Sequence, residues 1–105
     1  MADLPAFLMP HRVSVETYQG DTGTDDTYAA AVANIPCRQE GAILVTSDGH
    51  YVGSAKLFLR LEHRELFRRE SRVTLQNGGV GHVQAVADHS DAGAGAWEHL
   101  EVAVQ

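Results

Sequence analysis

The stretch ILVTSDGHYVGSAKLFLR, residues 43–60, decides the fold. Two segments rich in β-branched and apolar residues, 43–46 and 50–60, flank the triplet Ser47-Asp48-Gly49. An Asp-Gly pair between such segments is a strong short-range signal for a β-hairpin, because glycine accepts the positive φ that the turn requires. The stretch therefore predicts a long hairpin of two antiparallel strands.

The strands predicted on both sides of this hairpin show the same alternation of apolar and polar residues. Val13, Val15 and Thr17 share one face of the segment 12–18, as in a half-buried strand. Residues 28–39 are apolar but contain Pro36, which predicts one edge strand or two short ones. Further strands are predicted at residues 71–75, 80–87 and 97–104, with a second tight turn at Asn77-Gly78-Gly79.

These segments predict an all-β fold, a small β-barrel or sandwich of six to seven short strands with one long hairpin at residues 41–54. Residues 1–9 form an apolar N-terminal segment, and residues 10–105 form a single β-barrel domain. The Gly- and Asp-rich stretches 20–26 and 90–96 are typical of polar loops. Residues 61–70 break the alternation and are compatible with a short helical turn.

Length and composition exclude several classes of protein. A chain of 105 residues supports one domain. Eight Lys and Arg against fourteen Asp and Glu give a net charge of −6, whereas dedicated nucleic-acid binders carry a basic excess. The longest apolar stretch falls far short of the about 20 residues that a membrane span needs. Residues 1–9 lack the features of a secretory signal. The single cysteine, Cys37, excludes an internal disulfide and fits a reducing compartment.

One short motif points to enzymatic chemistry. The stretch DTGTDDT, residues 21–27, resembles the active site of retroviral aspartic proteases, in which two chains each supply one Asp. Those proteases place buried aliphatic residues before the motif, whereas Tyr18-Gln19-Gly20 precede it here, and Asp, Thr and Gly are common turn residues. We favour a solvated loop and keep a dimeric aspartic peptidase using Asp21 as an alternative.

The sequence gives little support for a metal site, a reactive thiol or a phosphate-binding loop. The densest group of possible metal ligands is spread along the last third of the chain without a metal-binding spacing. Cys37 follows Ile35 and Pro36, which indicates a buried thiol. Residues 77–81 lack the lysine and the helix of a phosphate-binding loop. We therefore expect no enzyme, no catalytic residues, no metal and no cofactor. The possible metal ligands are His82, Asp88, His89, Asp91 and His99.

Basic residues concentrate between positions 60 and 72, where acidic residues interleave with them. This pattern favours solvated ion pairs over a binding surface, and an acidic protein over DNA if the segment binds at all. Together with the apolar N-terminal segment, it supplies the candidates for a protein interface. These interface candidates are Phe7, Leu8, Arg64, Arg68 and Arg69.

The order of the segments between Pro10 and Val104 resembles the head-to-tail stopper, or head-closure, proteins of long-tailed bacteriophages. The resemblance begins with the strand PHRVSVET at residues 10–17 and the strand that carries Cys37. It continues through the Asp48-Gly49 hairpin. The last matching segments are SRVTL at 71–75, followed by a glycine turn, and WEHLEVAV at 97–104.

The resemblance implies a structural virion protein that forms a homo-oligomeric ring, sixfold rather than twelvefold, in the phage neck. The ring would join the head adaptor to the tail and its terminator protein, after assembly in the cytoplasm of the bacterial host. Packaged DNA would pass through the lumen without sequence-specific binding, and a hairpin would help to retain it. The candidates for the lumen loop or partner contact are Ser47, Asp48, Gly49 and His50.

Two further alternatives stay open at this point. The chain could be another neck component, such as a tail terminator or an adaptor, although adaptors tend to be helical. It could also be a small β-barrel binding module without a virion role. Neither alternative requires a membrane or a cofactor.

Overall fold

The computed structural model describes residues 5–21, 23, 26–89 and 98–105, with only the backbone of Asp21. These residues contain eight strands and two short 3-10 helices, at Ala6–Leu8 and Leu61–Leu66. The strands are β1 (His11–Glu16), β2 (Tyr18–Asp21), β3 (Asp26–Tyr28), β4 (Val32–Val45), β5 (Tyr51–Leu59), β6 (Arg72–Thr74), β7 (Val80–His89) and β8 (His99–Val104).

Six of the strands close into an antiparallel barrel in the order β1-β4-β5-β8-β7-β6. The strands β2 and β3 form a separate two-stranded hairpin. The strand β4 is 14 residues long and has two halves. Its first half pairs with β1 up to Cys37, and its second half pairs with β5 from Arg38 onward. The prediction of a small all-β barrel with one long hairpin is confirmed.

The inward-facing side chains form one core. The alternation predicted for β5 is confirmed, because Leu57 and Leu59 are fully buried. Phe67 follows the second 3-10 helix and is the largest fully buried side chain. Met9, the last residue of the apolar N-terminal segment, is also buried. Burial raises the pKa of the Cys37 thiol to about 11, which keeps this cysteine protonated and unreactive.

The barrel closes through a short seam between β1 and β6. This seam contains three residue pairs, Ser14↔Thr74, Val15↔Val73 and Glu16↔Arg72. The guanidinium of Arg72 donates two hydrogen bonds to the Glu16 carboxylate, at 3.0 and 2.8 Å. The same guanidinium lies 4.6 Å from the ring centroid of Tyr28, which attaches the β2–β3 hairpin to the seam.

Two local predictions differ from the structure. The polar loop predicted at residues 20–26 contains parts of both β2 and β3, and the Thr27 hydroxyl stabilises this hairpin by donating to the Gly20 carbonyl at 2.9 Å. Pro36 lies inside the long strand β4 rather than in an edge strand. It pairs with Arg12, whose backbone N–H donates to Gln76 instead. The missing N–H of proline therefore removes no hydrogen bond from that pair.

Of the two remaining local predictions, the structure tests the one for residues 61–70. The short helical turn in residues 61–70 is confirmed by the 3-10 helix at Leu61–Leu66. The loop predicted at residues 90–96 lies outside the described residues.

We expect Glu16→Gln to lower the free energy of unfolding by about 1 kcal/mol at neutral pH, the upper end for partly exposed ion pairs. The hydrogen bonds from Arg72 hold the pKa of Glu16 below its ordinary value of 4.5. Its stabilising contribution is therefore present above that value and is lost as the pH falls through the depressed pKa. Urea unfolding of both proteins along a pH series measures the difference.

Glu40→Gln is the matched control, because Glu40 makes a single contact of 3.7 Å with Arg38 and both side chains are more than half exposed. This control should change stability little at any pH. A loss for Glu16→Gln that stayed constant below pH 4.5 would contradict the assigned role of the seam ion pair.

Candidate functional site: the distal hairpin

The hairpin formed by β4 and β5 extends beyond the end of the barrel. The strand β8 pairs with β5 only as far as Ala55↔Val104. Residues 51–54 of β5 therefore pair with β4 alone among the strands of the described residues. We call residues 41–54 the distal hairpin.

Two glycines fix the base of the distal hairpin. Gly41 and Gly53 have φ values of +81° and +111°, which other residues adopt only with strain. A Cβ atom at Gly41 would lie 2.6 Å from the Ser54 carbonyl oxygen, and one at Gly53 would lie 2.4 Å from the Ala42 carbonyl oxygen. The two strands therefore approach each other as only glycine permits, where the hairpin leaves the barrel.

The stem of the distal hairpin exposes apolar side chains on both of its faces. Leu44 pairs with Val52, and Val45 pairs with Tyr51, so each pair covers one face. All four side chains are between 49% and 57% exposed. Single exposed apolar residues are ordinary, but a contiguous group marks a surface that another molecule covers. The sequence pattern did not predict these residues as a site, although the unbroken apolar stretch 43–45 is a signal for it.

The tip of the distal hairpin is polar and internally hydrogen-bonded. The Thr46 N–H donates to the His50 carbonyl at 2.7 Å, and the His50 N–H donates to the Thr46 hydroxyl at 3.1 Å. The Thr46 hydroxyl also donates to the Asp48 carboxylate, and this bond is the main cause that lowers the pKa of Asp48. All four predicted lumen-loop residues, 47–50, lie at this tip and are exposed.

The predicted interface residues lie at two opposite ends of the barrel. Phe7 is 77% exposed and Leu8 is half-buried, both in a 3-10 helix that precedes β1 and lies at the end from which the distal hairpin projects. The basic candidates follow β5, at the far end. There Arg64 pairs with Asp88 at 3.1 Å, while Arg68 and Arg69 are exposed.

The described members of the group of possible metal ligands do not come together as a site. His89 and His99 stack with their ring centroids 4.6 Å apart, on the outer face of the sheet. Lys56 and His89 both contact the Glu101 carboxylate, at 3.0 and 3.3 Å, and hold its pKa below the ordinary value. His82 lies at the other end of β7, and Asp91 lies outside the described residues. Within these residues, no three His, Cys, Asp or Glu side chains are placed to hold a metal.

Two open cavities flank β5 at the base of the distal hairpin. One, of about 480 Å³, lies between Tyr51 and Gly53 on β5 and Val80 and His82 on β7. The other, of about 470 Å³, lies beside Ser54 and Lys56 and reaches Gln84. Both are shallow spaces next to a strand edge, so they suit an extended peptide better than a small molecule.

The peptidase motif is only partly described. The backbone of Asp21 ends β2 and pairs with Asp26. The Asp21 side chain and residues 22, 24 and 25 lie outside the described residues.

Comparison of the chain with known protein families, with curated proteins and with solved structures finds no match. In the described part of the chain, no helix has the length and apolar character to cross a membrane.

We expect Thr46→Ala to raise the pKa of Asp48 toward its ordinary value of 3.8, because the variant lacks the hydroxyl that donates to the carboxylate. An NMR titration that follows the Asp48 side chain measures this. Ser47→Ala removes a hydroxyl from the same turn but leaves the Thr46 bond intact, and it should leave this pKa unchanged. Equal pKa values in the Thr46→Ala variant and the parent protein would contradict the geometry of the tip.

Proposed function

We propose that this chain is a structural protein of the bacteriophage neck, a head-to-tail stopper. Its copies would form a ring that joins the head adaptor to the tail and helps to retain packaged DNA. The observation that carries the proposal is the distal hairpin, which projects from a small barrel with an apolar stem and a polar tip. This element is what the resemblance to stopper proteins leads one to expect.

The charge of the chain suits a channel through which DNA must move. DNA binds proteins mainly through Lys and Arg contacts to its phosphates. The distal hairpin contains neither residue type, and its only formal charge at neutral pH is that of Asp48. A ring that exposes such hairpins, in a chain of net charge −6, would confine DNA by shape and repulsion without holding it by its phosphates.

The exposed apolar groups suit a protein that works in an assembly. Phe7 lies at the same end as the stem of the distal hairpin, and the contiguous apolar stem suits a protein surface that covers it. A ring uses heterologous contacts that close on themselves, so one subunit must present two different surfaces. The location in the virion neck, the adaptor and tail proteins as partners, and the preference for a sixfold ring follow from the resemblance.

We expect deletion of residues 45–51 from the phage gene to give heads that lose their DNA, because the deletion removes the tip and the outer stem. The barrel should still fold, since the core residues of β5 begin at Ala55. Electron microscopy of lysates, with circular dichroism of the purified variant, measures both results. The double substitution Ser47→Ala with His50→Ala keeps the hairpin length and serves as the control. Tailed particles that remain filled with DNA after the deletion would contradict the proposal.

The peptidase alternative predicts a different result for one substitution. Asp21→Asn would abolish an aspartic peptidase, because the mechanism needs two carboxylates that share a proton. In a stopper the same change should leave particle assembly unchanged. A gel of the lysate decides between them, since lost peptidase activity would leave uncleaved precursors of the capsid proteins.

A further inference from the structure

The direction of the distal hairpin is not set by a neighbouring strand. On one side, β1 pairs with β4 only as far as Cys37. On the other side, β8 pairs with β5 only as far as Ala55. Beyond both limits, β4 and β5 pair with each other alone among the described strands. Contacts other than strand pairing therefore decide how the hairpin is directed relative to the barrel.

The turn between β6 and β7, residues 75–79, supplies such a contact at the base of the hairpin. The Asn77 side-chain amide donates from Nδ2 to the Ile43 carbonyl oxygen at 3.3 Å. Its Oδ1 accepts a hydrogen bond from the Gly79 N–H at 3.0 Å. One side chain thus links the turn to β4. Among the described residues, no other side chain from outside the hairpin and its two strands hydrogen-bonds to the distal hairpin.

The orientation of the Ile43 carbonyl explains why a side chain can bind there. In an antiparallel pair, alternate residues direct their backbone groups toward the partner strand. The Thr46 N–H donates to the His50 carbonyl, so the even-numbered residues of the β4 stem face β5 and Ile43 faces the other side. No described strand lies there, because pairing with β1 ends at Cys37. Asn77 therefore occupies the place of a strand neighbour.

The turn approaches β4 so closely that the contact requires glycine. A Cβ atom at Gly79 would overlap the Ile43 carbonyl oxygen, and one at Gly81 would lie 2.5 Å from the Ile43 Cδ1 atom. Neither glycine has a positive φ, so space rather than backbone conformation is the reason for glycine at these positions. Ile43 itself is only 1% exposed. The turn and the hairpin base thus fit together through both the backbone and the side chain of Ile43.

The turn is itself held in place, so it can act as a support. The Leu75 N–H donates to the Gly79 carbonyl at 2.8 Å, and the Gly78 N–H donates to the Leu75 carbonyl at 2.9 Å. Gln76 accepts a hydrogen bond of 2.8 Å from the Arg12 N–H, which ties the turn to β1. The hairpin, by contrast, has room to change direction, because the open cavity of about 480 Å³ separates its β5 strand from β7.

We propose that Asn77 is a positioning residue, which fixes the direction of the distal hairpin relative to the barrel. Its amide holds β4 at Ile43, two residues beyond the glycine at which the hairpin leaves the barrel, Gly41. The proposal concerns the isolated chain. Only the expectation that a misdirected hairpin would fail to retain DNA rests on the proposed function.

Asn77→Asp tests the contact in the full-length protein with the smallest change of shape. The variant keeps an oxygen that accepts from the Gly79 N–H, but it replaces the donating amide with a carboxylate oxygen that repels the Ile43 carbonyl. Spin labels on Ser47→Cys, at the tip, and Gln84→Cys, on β7, report the direction of the hairpin as a distance that we call the tip distance. We expect a narrow distribution of the tip distance without the Asn77→Asp change, and a shifted and broader distribution with it.

Two controls separate the hairpin from the barrel. Labels on Arg38→Cys and Gln84→Cys span the barrel, and this barrel distance should be the same with and without Asn77→Asp. Gln76→Glu adds the same negative charge to the same turn but keeps the oxygen that accepts from β1, so it should leave the tip distance unchanged. Cys37 is buried and takes up no label. An unchanged tip distance in the Asn77→Asp variant would overturn the proposal, and so would a change in both distances.

A pH series provides a rescue of the same variant. A protonated carboxyl group can donate a hydrogen bond to the Ile43 carbonyl, as the amide does. Protonation of an Asp ordinarily requires a pH below about 3.9, and a facing carbonyl oxygen moves this pKa upward. At about pH 4 the tip distance of the Asn77→Asp variant should therefore return to that of the parent protein at the same pH. A tip distance that stayed shifted while the barrel distance was unchanged would contradict the assigned role of the donor.

The two proposals fail separately. Particles that lose DNA after deletion of residues 45–51, with an unchanged tip distance in the Asn77→Asp variant, keep the stopper role and lose the positioning role of Asn77. A changed tip distance in a protein whose deletion leaves filled, tailed particles keeps the positioning role and loses the stopper role.

Discussion

The fold depends on the three-residue seam between β1 and β6, because without it the six strands would form an open sheet. Val15 and Val73 bury their side chains in this seam, and the bidentate ion pair between Glu16 and Arg72 closes one end of it. Closing a sheet into a barrel removes the free edge of a strand only along the length that the neighbouring strand covers. In this barrel β6 has three residues and β7 has ten, so β6 covers only part of β7.

This inequality of strand lengths explains where the exposed edges lie. The strand β4 has 14 residues and outlasts β1, so its second half is free to form the distal hairpin with β5. The strand β7 likewise outlasts β6, so that residues 85–87 pair with β8 alone among the described strands. Residues 51–54 of β5 lack a second neighbour for a separate reason, because the described part of β8 pairs with β5 only as far as Ala55.

The sequence predicts the parts of this structure that depend on local chemistry. The Asp48-Gly49 turn and the alternation of Leu57 and Leu59 with polar neighbours are such features, and both are correct. The distal hairpin's exposed stem was not predicted, because whether Leu44 is covered depends on how far β8 extends beside it. Register and strand length come from pairing between distant segments, which a period-two pattern does not encode. The β2–β3 hairpin was missed because its Gly and Asp residues also suit a loop.

The net charge of −6 and the apolar stem would have opposite effects on the proposed assembly. Like charges keep separate copies apart and protect a chain with open edges from random aggregation. The distal hairpin escapes this repulsion, because it carries one carboxylate in 14 residues. In the proposed assembly, the uncharged stem is therefore the part of the hairpin that a partner surface would approach at the lowest electrostatic cost. Charge would select the place of contact, while apolar burial would supply most of its strength.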